Sequence, residues 1–283
     1  MQSAGLLRNW LPVHSSELTA VVFDIDGVLL HGPHPAEGSL ETIEWLHGAG
    51  LPFALLTNDG CHSPAEKAGF LKASGIPVTA DDIVSCGHGL IELRAKNGWQ
   101  GQTFFVLGSL GTPCYAETAG LRVTRVPEAI ESCTGVIIGE KPYDWNVAVT
   151  AAFNFFLRHP ERPLIVPNPD DCYPSRPGHM GVASGAIGRM IERLCRSCGV
   201  RKEPIYLGKP YGPIFEYNHH RVETRLGKTV PRDRVLIVGD SLTSDVPGGR
   251  AFGYRTALVL TGITKPEMLA ASEVKPELVF DGL

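Results

Sequence analysis

Short runs that are apolar at every position recur along this chain, separated by segments with helical periodicity. The strongest are Val21-Val22-Phe23, Phe53-Ala54-Leu55-Leu56 and Val235-Leu236-Ile237-Val238. Runs of this length alternating with longer helical patterns argue for an α/β fold built on a parallel sheet. The strand candidates in the outer parts are Ala20 to Asp24, Phe53 to Leu56, Ile205 to Leu207, Arg234 to Val238 and Thr256 to Leu260. Helical patterns cover Ala36 to Ala49 and Pro213 to Leu226, and Ser63-Pro64-Ala65-Glu66 opens another helix as N-cap, first-turn proline and capping-box acid. A middle block carries its own series. Its strands are expected at Thr103 to Leu107, Leu121 to Arg125, Gly135 to Ile138 and Leu164 to Val166, and its helices at Gly89 to Lys96, Cys114 to Thr118, Trp145 to Leu157 and Ala183 to Arg196.

The outer strands stop in polar motifs: Asp24-Ile25-Asp26-Gly27, Thr57-Asn58-Asp59-Gly60, Gly208-Lys209-Pro210, and Gly239-Asp240 running on to Asp245. No strand of the middle block is followed by a comparable set. Carboxyl ends of parallel strands converge on one crevice, where ligands bind. Asp24 and Asp26 are like charges one residue apart, unfavourable together unless a cation or a shared proton offsets them. Carboxylate oxygens hold a hard cation. Backbone N–H groups, a hydroxyl and an ammonium hold an anion. The inventory suits Mg²⁺ and a phosphate group.

Bulk properties narrow the class. The 283 residues suffice for two domains, with 43% hydrophobic and 20% charged residues. A net charge of -4 gives no basic field for nucleic acid and no polybasic membrane patch. No apolar stretch reaches membrane-spanning length, and Met1 to Ser16 lacks the continuous apolar stretch of a secretory signal. That segment is expected to be an ordered N-terminal arm or a frayed tail. Seven cysteines at irregular spacing argue against a disulfide framework and for a reducing cytoplasm. Cys195-Arg-Ser-Cys198, with no second pair and no nearby histidine, reads as structural thiols.

The order and spacing of the four motifs resemble the haloacid dehalogenase (HAD) superfamily of aspartate-nucleophile phosphatases. Gly139-Glu140, Asn168-Pro169-Asp170 and Leu260-Thr261-Gly262-Ile263 extend the likeness to its class IIA, NagD-like or nitrophenylphosphatase-like branch, from about residue 19 onward. The resemblance implies a doubly wound, Rossmann-like core over residues 19–83 and 204–283. An inserted α/β cap of the C2 type would span 84–203 and close over the substrate, with residues 1–18 as an extension. It implies Asp24 as the nucleophile that becomes an aspartyl-phosphate and Asp26 as the general acid and base. Thr57, with amides around Asn58 and Asp59, would hold the phosphoryl group, and Lys209 would neutralise it. Mg²⁺ would sit on Asp24, the Asp26 carbonyl and Asp240, with Asp245 supporting the metal's waters or Lys209. Asp26 is then expected past the strand end, with its carboxyl turned away from that of Asp24.

The implied function is Mg²⁺-dependent hydrolysis of a small phosphorylated metabolite by a cytoplasmic protein, with neither nucleic acid nor membrane as partner. Caps of this type can dimerise. The rivals are a dehalogenase or phosphomutase using the same aspartate, and a catalytically silent binding protein on the same fold. Three departures from the branch stand out: Asp59-Gly60 where Asn or Ser is usual, Ser244 before the last aspartate, and Met180-Gly181-Val182-Ala183-Ser184-Gly185 in place of a Pro-Gly-small-Gly run. In the middle block, Asn168, Asp170, Arg176 and His179 could meet substrate, Arg176 by pairing with an anionic leaving group; the alternative for Arg176 and His179 is a solvated loop.

Other patterns fail on position. An EF-hand from Asp24 would need Gly at Leu29 and Glu at Pro35. A phosphate loop ending in Gly227-Lys228-Thr229 would need glycine at Val222. Gly87-His88-Gly89 lacks the third glycine of a dinucleotide fingerprint, with Glu92 in its place, and reads as a hinge. His219-His220 point in different directions on a helix and make no metal pair.

Overall fold

The computed structural model describes residues 3–176 and 178–283. The chain divides into two compact units. The first holds the residues up to Thr57, Pro64–Val84 and Lys209–Leu283; the second holds Asn58–Ser63 and Ser85–Gly208. No helix among the described residues is long and apolar enough to cross a membrane.

The first unit is built on a six-stranded sheet in the order Leu278–Phe280, Arg255–Val259, Val235–Gly239, Ala20–Phe23, Phe53–Thr57, Ile83–Ser85. The pairings from Leu278–Phe280 across to Phe53–Thr57 are parallel. Its central strands are buried along their whole length, as a sheet covered on both faces requires. One face carries Val21, Phe23, Leu55, Leu236 and Val238, packed with Ile43 and Leu46 of the Ser39–Ala49 helix and Leu71 of the Pro64–Ala73 helix. The other face presents Leu258 and Val279 to Val246 of the Asp245–Phe252 helix and Leu269. Two periodicities, 2 along strands and 3.6 along helices, thus meet in one doubly wound core.

The N-terminal segment is an ordered arm. Leu7–His14 forms a helix whose Leu7 and Leu11 are fully buried in the same core as Phe280 and Leu283. Leu6 bridges Gly282, the Ala4 N–H donates to Val279 O at 2.8 Å, and Arg8 Nη1 donates to the Leu283 carbonyl at 2.8 Å. The arm thereby covers the outer strand, an edge that would otherwise present unpaired backbone.

The second unit has a five-stranded parallel sheet in the order Ile205–Tyr206, Leu164–Val166, Gly135–Ile138, Thr103–Leu107, Arg122–Thr124. Phe105, Leu107, Val136 and Ile138 face the Thr150–Arg158 and Ser184–Ser197 helices. Phe104, Val106 and Ile137 face Leu90, Tyr115 and Ala116.

Several expected elements differ in extent. The helix expected from Ala36 starts at Ser39, because Leu30–His31 and His34–Pro35 pair first as a small hairpin. The helix expected over Trp145 to Leu157 is a wide turn, Trp145–Val149, that runs into Thr150–Arg158. Its start is held by Asp144 Oδ1, which accepts the Val147 N–H at 2.9 Å. Besides that small hairpin, the strands Ile83–Ser85 and Leu278–Phe280 and an antiparallel hairpin, Cys172–Arg176 with His179–Val182, were not anticipated. The first two have only three residues each, too short to show a period.

Candidate active site

The strand order reverses about the Ala20–Phe23 and Val235–Gly239 pair. From Ala20–Phe23 the chain steps outward one way to Phe53–Thr57, and from Val235–Gly239 the other way to Arg255–Val259. Such a switch point is where an open α/β sheet leaves a crevice at its carboxyl edge. Phe23 pairs in register with Val238, and the Asp24 N–H donates to Val238 O at 2.9 Å. Asp24 and Asp240 therefore leave the sheet from neighbouring strands.

Lys209 joins the motifs. Its Nζ lies 2.7 Å from Asp24 Oδ1 and 2.7 Å from Asp245 Oδ1, with the lysine side chain 2% and the Asp24 side chain 14% exposed. Ligand oxygens of Asp24, Asp240 and Asp245 lie within 4.8 Å of one another. Asp245 is engaged at both oxygens, since Oδ2 accepts the Ser241 N–H at 3.2 Å. Asp24 Oδ1 also accepts the Ile25 N–H at 2.8 Å.

One ammonium thus faces three carboxylates. Burial first, then repulsion from Asp245 and Asp240, push the Asp24 carboxyl well above the ordinary carboxylate range, against the pull of Lys209. Burial opposes the Lys209 charge, but Asp24 and Asp245 outweigh it and raise the ammonium's pKa. Asp240 is pushed up to about 6 by burial and by Asp245, with the Ile263 N–H on its Oδ2 at 2.8 Å resisting. Surplus negative charge on hard oxygen donors, with no sulfur or nitrogen ligand in the group, fits Mg²⁺. Two glycines clear the ground for it: a Cβ at Gly27 or at Gly262 would run into Asp240 Oδ2. Gly27 also has φ +89°, in the left-handed region.

Asp26 is not part of the carboxylate group. It lies beyond the end of the Ala20–Phe23 strand, bridged to Leu30. Its side chain is 63% exposed and lies 3.4 Å from Lys67 Nζ. The same-side geometry of a continuing strand therefore does not hold, and the two aspartates sit in different electrostatic surroundings. Thr57 is the last residue of the Phe53–Thr57 strand and is buried.

The second unit holds the remaining candidates. Asn58 Nδ2 donates to both oxygens of Asp170 at 3.1 Å. Asp170 N–H donates to Asn168 Oδ1 at 2.9 Å, and Asn168 Nδ2 to Glu140 Oε1 at 2.9 Å. Ser184 Oγ donates to the same Glu140 oxygen at 2.9 Å. Burial raises the Glu140 carboxyl, with these donors opposing. Asn168 and Asp170, expected as substrate contacts, are thus engaged inside this unit, and Asn168 is buried.

The sequence groups Asp59 with the phosphate-binding residues through its amide; its carboxylate turns into its own loop. It accepts the Cys61 N–H at 2.7 Å and the His62 N–H at 3.3 Å, and pairs with His62 Nδ1 at 2.8 Å. Short acidic side chains close turns this way. His179 is exposed, and it belongs to the Cys172–Arg176/His179–Val182 hairpin and not to a loop. The Arg176 side chain lies outside the described residues, as does Pro177. Gly87, in the run read as a hinge, also has a packing reason: a Cβ there would enter the Tyr115 ring. His219 is buried between Tyr254 Oη and Val230 O. Three participants were missed: Lys67, Ser184, and Glu140 as the hub of the polar chain. Lys67 carried a signal, since it stands on the stripe of its helix that also buries Ala68 and Leu71.

Known proteins resemble this chain over most of its length. A family model described as haloacid dehalogenase-like hydrolase matches residues 21–122, and one described as HAD-hydrolase-like matches 206–283. Ribonucleotide monophosphatase NagD of Escherichia coli is 26% identical over 265 residues, covering 92% of this chain and 94% of that protein. The crystal structure of 4-nitrophenylphosphatase from Thermotoga maritima superposes with a TM-score of 0.78 at 27% identity, covering 94% of this chain and 95% of that one. A possible sugar phosphatase from Cytophaga hutchinsonii gives 0.81 at 25% identity, covering 100% and 98%. On these matches, and on the motifs gathered at the sheet's carboxyl edge, the chain belongs to the haloacid dehalogenase-like hydrolases, in their NagD-like class IIA branch of phosphatases.

Proposed function

We propose that the protein hydrolyses phosphomonoesters of small metabolites through an aspartyl-phosphate, with Mg²⁺ as cofactor. The observation that carries the reading is Lys209 Nζ at 2.7 Å from both Asp24 and Asp245, beside Asp240. An Asp24 oxygen attacks phosphorus as the bond to the leaving oxygen breaks, and Asp26 gives that oxygen its proton. Water then attacks the phosphorus of the aspartyl-phosphate, Asp26 takes the water's proton, and phosphate leaves with Asp24 restored.

Asp24 and Asp240 would hold the metal, which when bound offsets charge on the phosphoryl oxygens. Asp245 keeps Lys209 beside Asp24, where an ammonium neutralises the transferring group. Thr57 and the amides that follow it are the donors proposed for the phosphoryl oxygens. The relatives' names span a ribonucleotide phosphatase and a 4-nitrophenylphosphatase, which supports a small soluble phosphomonoester as the class of substrate.

The test is phosphate release from a panel of phosphorylated metabolites with Mg²⁺, with EDTA, and with Asp24→Asn. Release that depends on Mg²⁺ and on Asp24 is expected. Turnover that persists in Asp24→Asn would overturn the mechanism.

A further inference from the structure

Lys67 is out of place by composition. On the Pro64–Ala73 helix it is buried together with Ala68 and Leu71, on the stripe that packs against the first unit's core. An amphipathic helix puts apolar residues there. An ammonium with so little access to water costs free energy unless a partner offsets it. One partner is Asp26: Lys67 Nζ lies 3.4 Å from Asp26 Oδ2, with the lysine side chain 10% exposed and the aspartate 63%.

A pair whose acid is this open to water adds little stability. An apolar side chain of similar volume at position 67 would serve the fold at least as well. The contact fixes something else, the direction of the Asp26 carboxyl. Asp26 lies within a turn in which the Ile25 carbonyl accepts the N–H groups of Leu29 and Leu30, each at 2.9 Å. That turn places the Asp26 backbone, but no other contact described for the side chain anchors it.

We propose that Lys67 is a positioning residue for Asp26, aiming its carboxyl at the leaving oxygen and balancing the carboxylate left after proton donation. This rests on the phosphatase reading above. In the step concerned, the phosphorus–oxygen ester bond breaks, the leaving oxygen takes the proton from Asp26, and the new carboxylate faces the Lys67 ammonium. The need for that proton depends on the leaving group. An alkoxide cannot depart without it, whereas 4-nitrophenolate is stable enough to leave unaided.

Substrate specificity therefore reports the role. Lys67→Met keeps the apolar stem and loses the charge. Its kcat/KM for a primary alkyl phosphate is expected to fall by about 10- to 100-fold, a part of the 10²- to 10⁴-fold that general acid catalysis supplies. For 4-nitrophenyl phosphate the fall is expected to be at least tenfold smaller, which also shows that the variant is folded. Lys67→Arg should recover part of the alkyl phosphate activity. In Asp26→Asn, adding Lys67→Met should cost nothing more, because residues acting as one unit are not additive.

Equal losses on both substrates, or additive losses in the double variant, would overturn the assignment while leaving the phosphatase reading intact. A wild-type protein that releases phosphate from neither substrate would overturn both.

Discussion

Replacing Lys209 by methionine removes the one cation described among the three carboxylates. At 2.7 Å and an effective dielectric of about 20, each lysine–carboxylate attraction is roughly 6 kcal/mol before desolvation. Desolvation of the buried ammonium returns several kcal/mol, and broken buried pairs cost about 3–5 kcal/mol in practice. A second limit comes from protons. The variant can protonate a carboxylate instead of burying an uncompensated charge. From an ordinary value near 4, that costs about 4 kcal/mol at pH 7 and about 1.4 kcal/mol less for each unit of pH below it.

Lys209→Met should thus unfold about 4 kcal/mol more easily than wild type at pH 7 in EDTA, with the deficit shrinking to under about 2 kcal/mol at pH 5. Urea unfolding at the two pH values measures both numbers. Magnesium should narrow the gap at pH 7, because a carboxylate group that has lost its ammonium binds the cation more tightly than wild type does, and each tenfold in Kd is worth about 1.4 kcal/mol at saturating metal. A deficit below about 1 kcal/mol at pH 7, or one that does not change with pH, would refute the charge balance argued here.

Three further outcomes follow from the geometry. Asp240 is raised from 3.8 to about 6, so the metal-free fold favours its protonated form; stability from this group is full below pH 4 and about 3 kcal/mol is lost as pH rises through 6. Stabilisation by Mg²⁺, read from melting curves, should therefore grow between pH 5 and 7, and a pH-independent effect would contradict the assignment. Gly262→Ala places a Cβ against Asp240 Oδ2; the Mg²⁺ concentration for half-maximal stabilisation should rise at least tenfold, whereas an unchanged titration would show that Asp240 does not bind the metal. Leu11→Ala, at a fully buried position of the N-terminal arm, should cost about 2–5 kcal/mol, and a loss under about 0.5 kcal/mol in urea would mean that the arm is not part of the cooperative unit.

The fold was legible in the sequence where residues carry a period. Val21 to Phe23 and Val235 to Val238 are apolar throughout because they lie inside a covered sheet, and the polar residues after them mark the edge where both strands end. The short edge strands Ile83–Ser85 and Leu278–Phe280 offer too few residues for a pattern, and their pairing is decided by neighbours far away in the chain. Asp59 was ambiguous for a chemical reason. An aspartate in a turn can face a ligand or accept its own loop's N–H groups, and only the backbone path selects the second. The crowding at Gly262 depends on Asp240, distant in sequence, so no local signal could reveal it.

Charge balance explains why the two acids of the first motif ended up in unlike surroundings. Asp24 is part-buried beside Lys209, Asp240 and Asp245, a setting whose charge is already committed. A proton shuttled there would disturb every member of the group, since each sits within reach of the others. The acid that gives and takes a proton must instead couple to solvent and to a partner of its own. Asp26 meets both needs, open to water on one side and facing Lys67 on the other. The turn at Ile25 that carries Asp26 off the strand is therefore the local feature on which the proposed division of labour between the two aspartates rests.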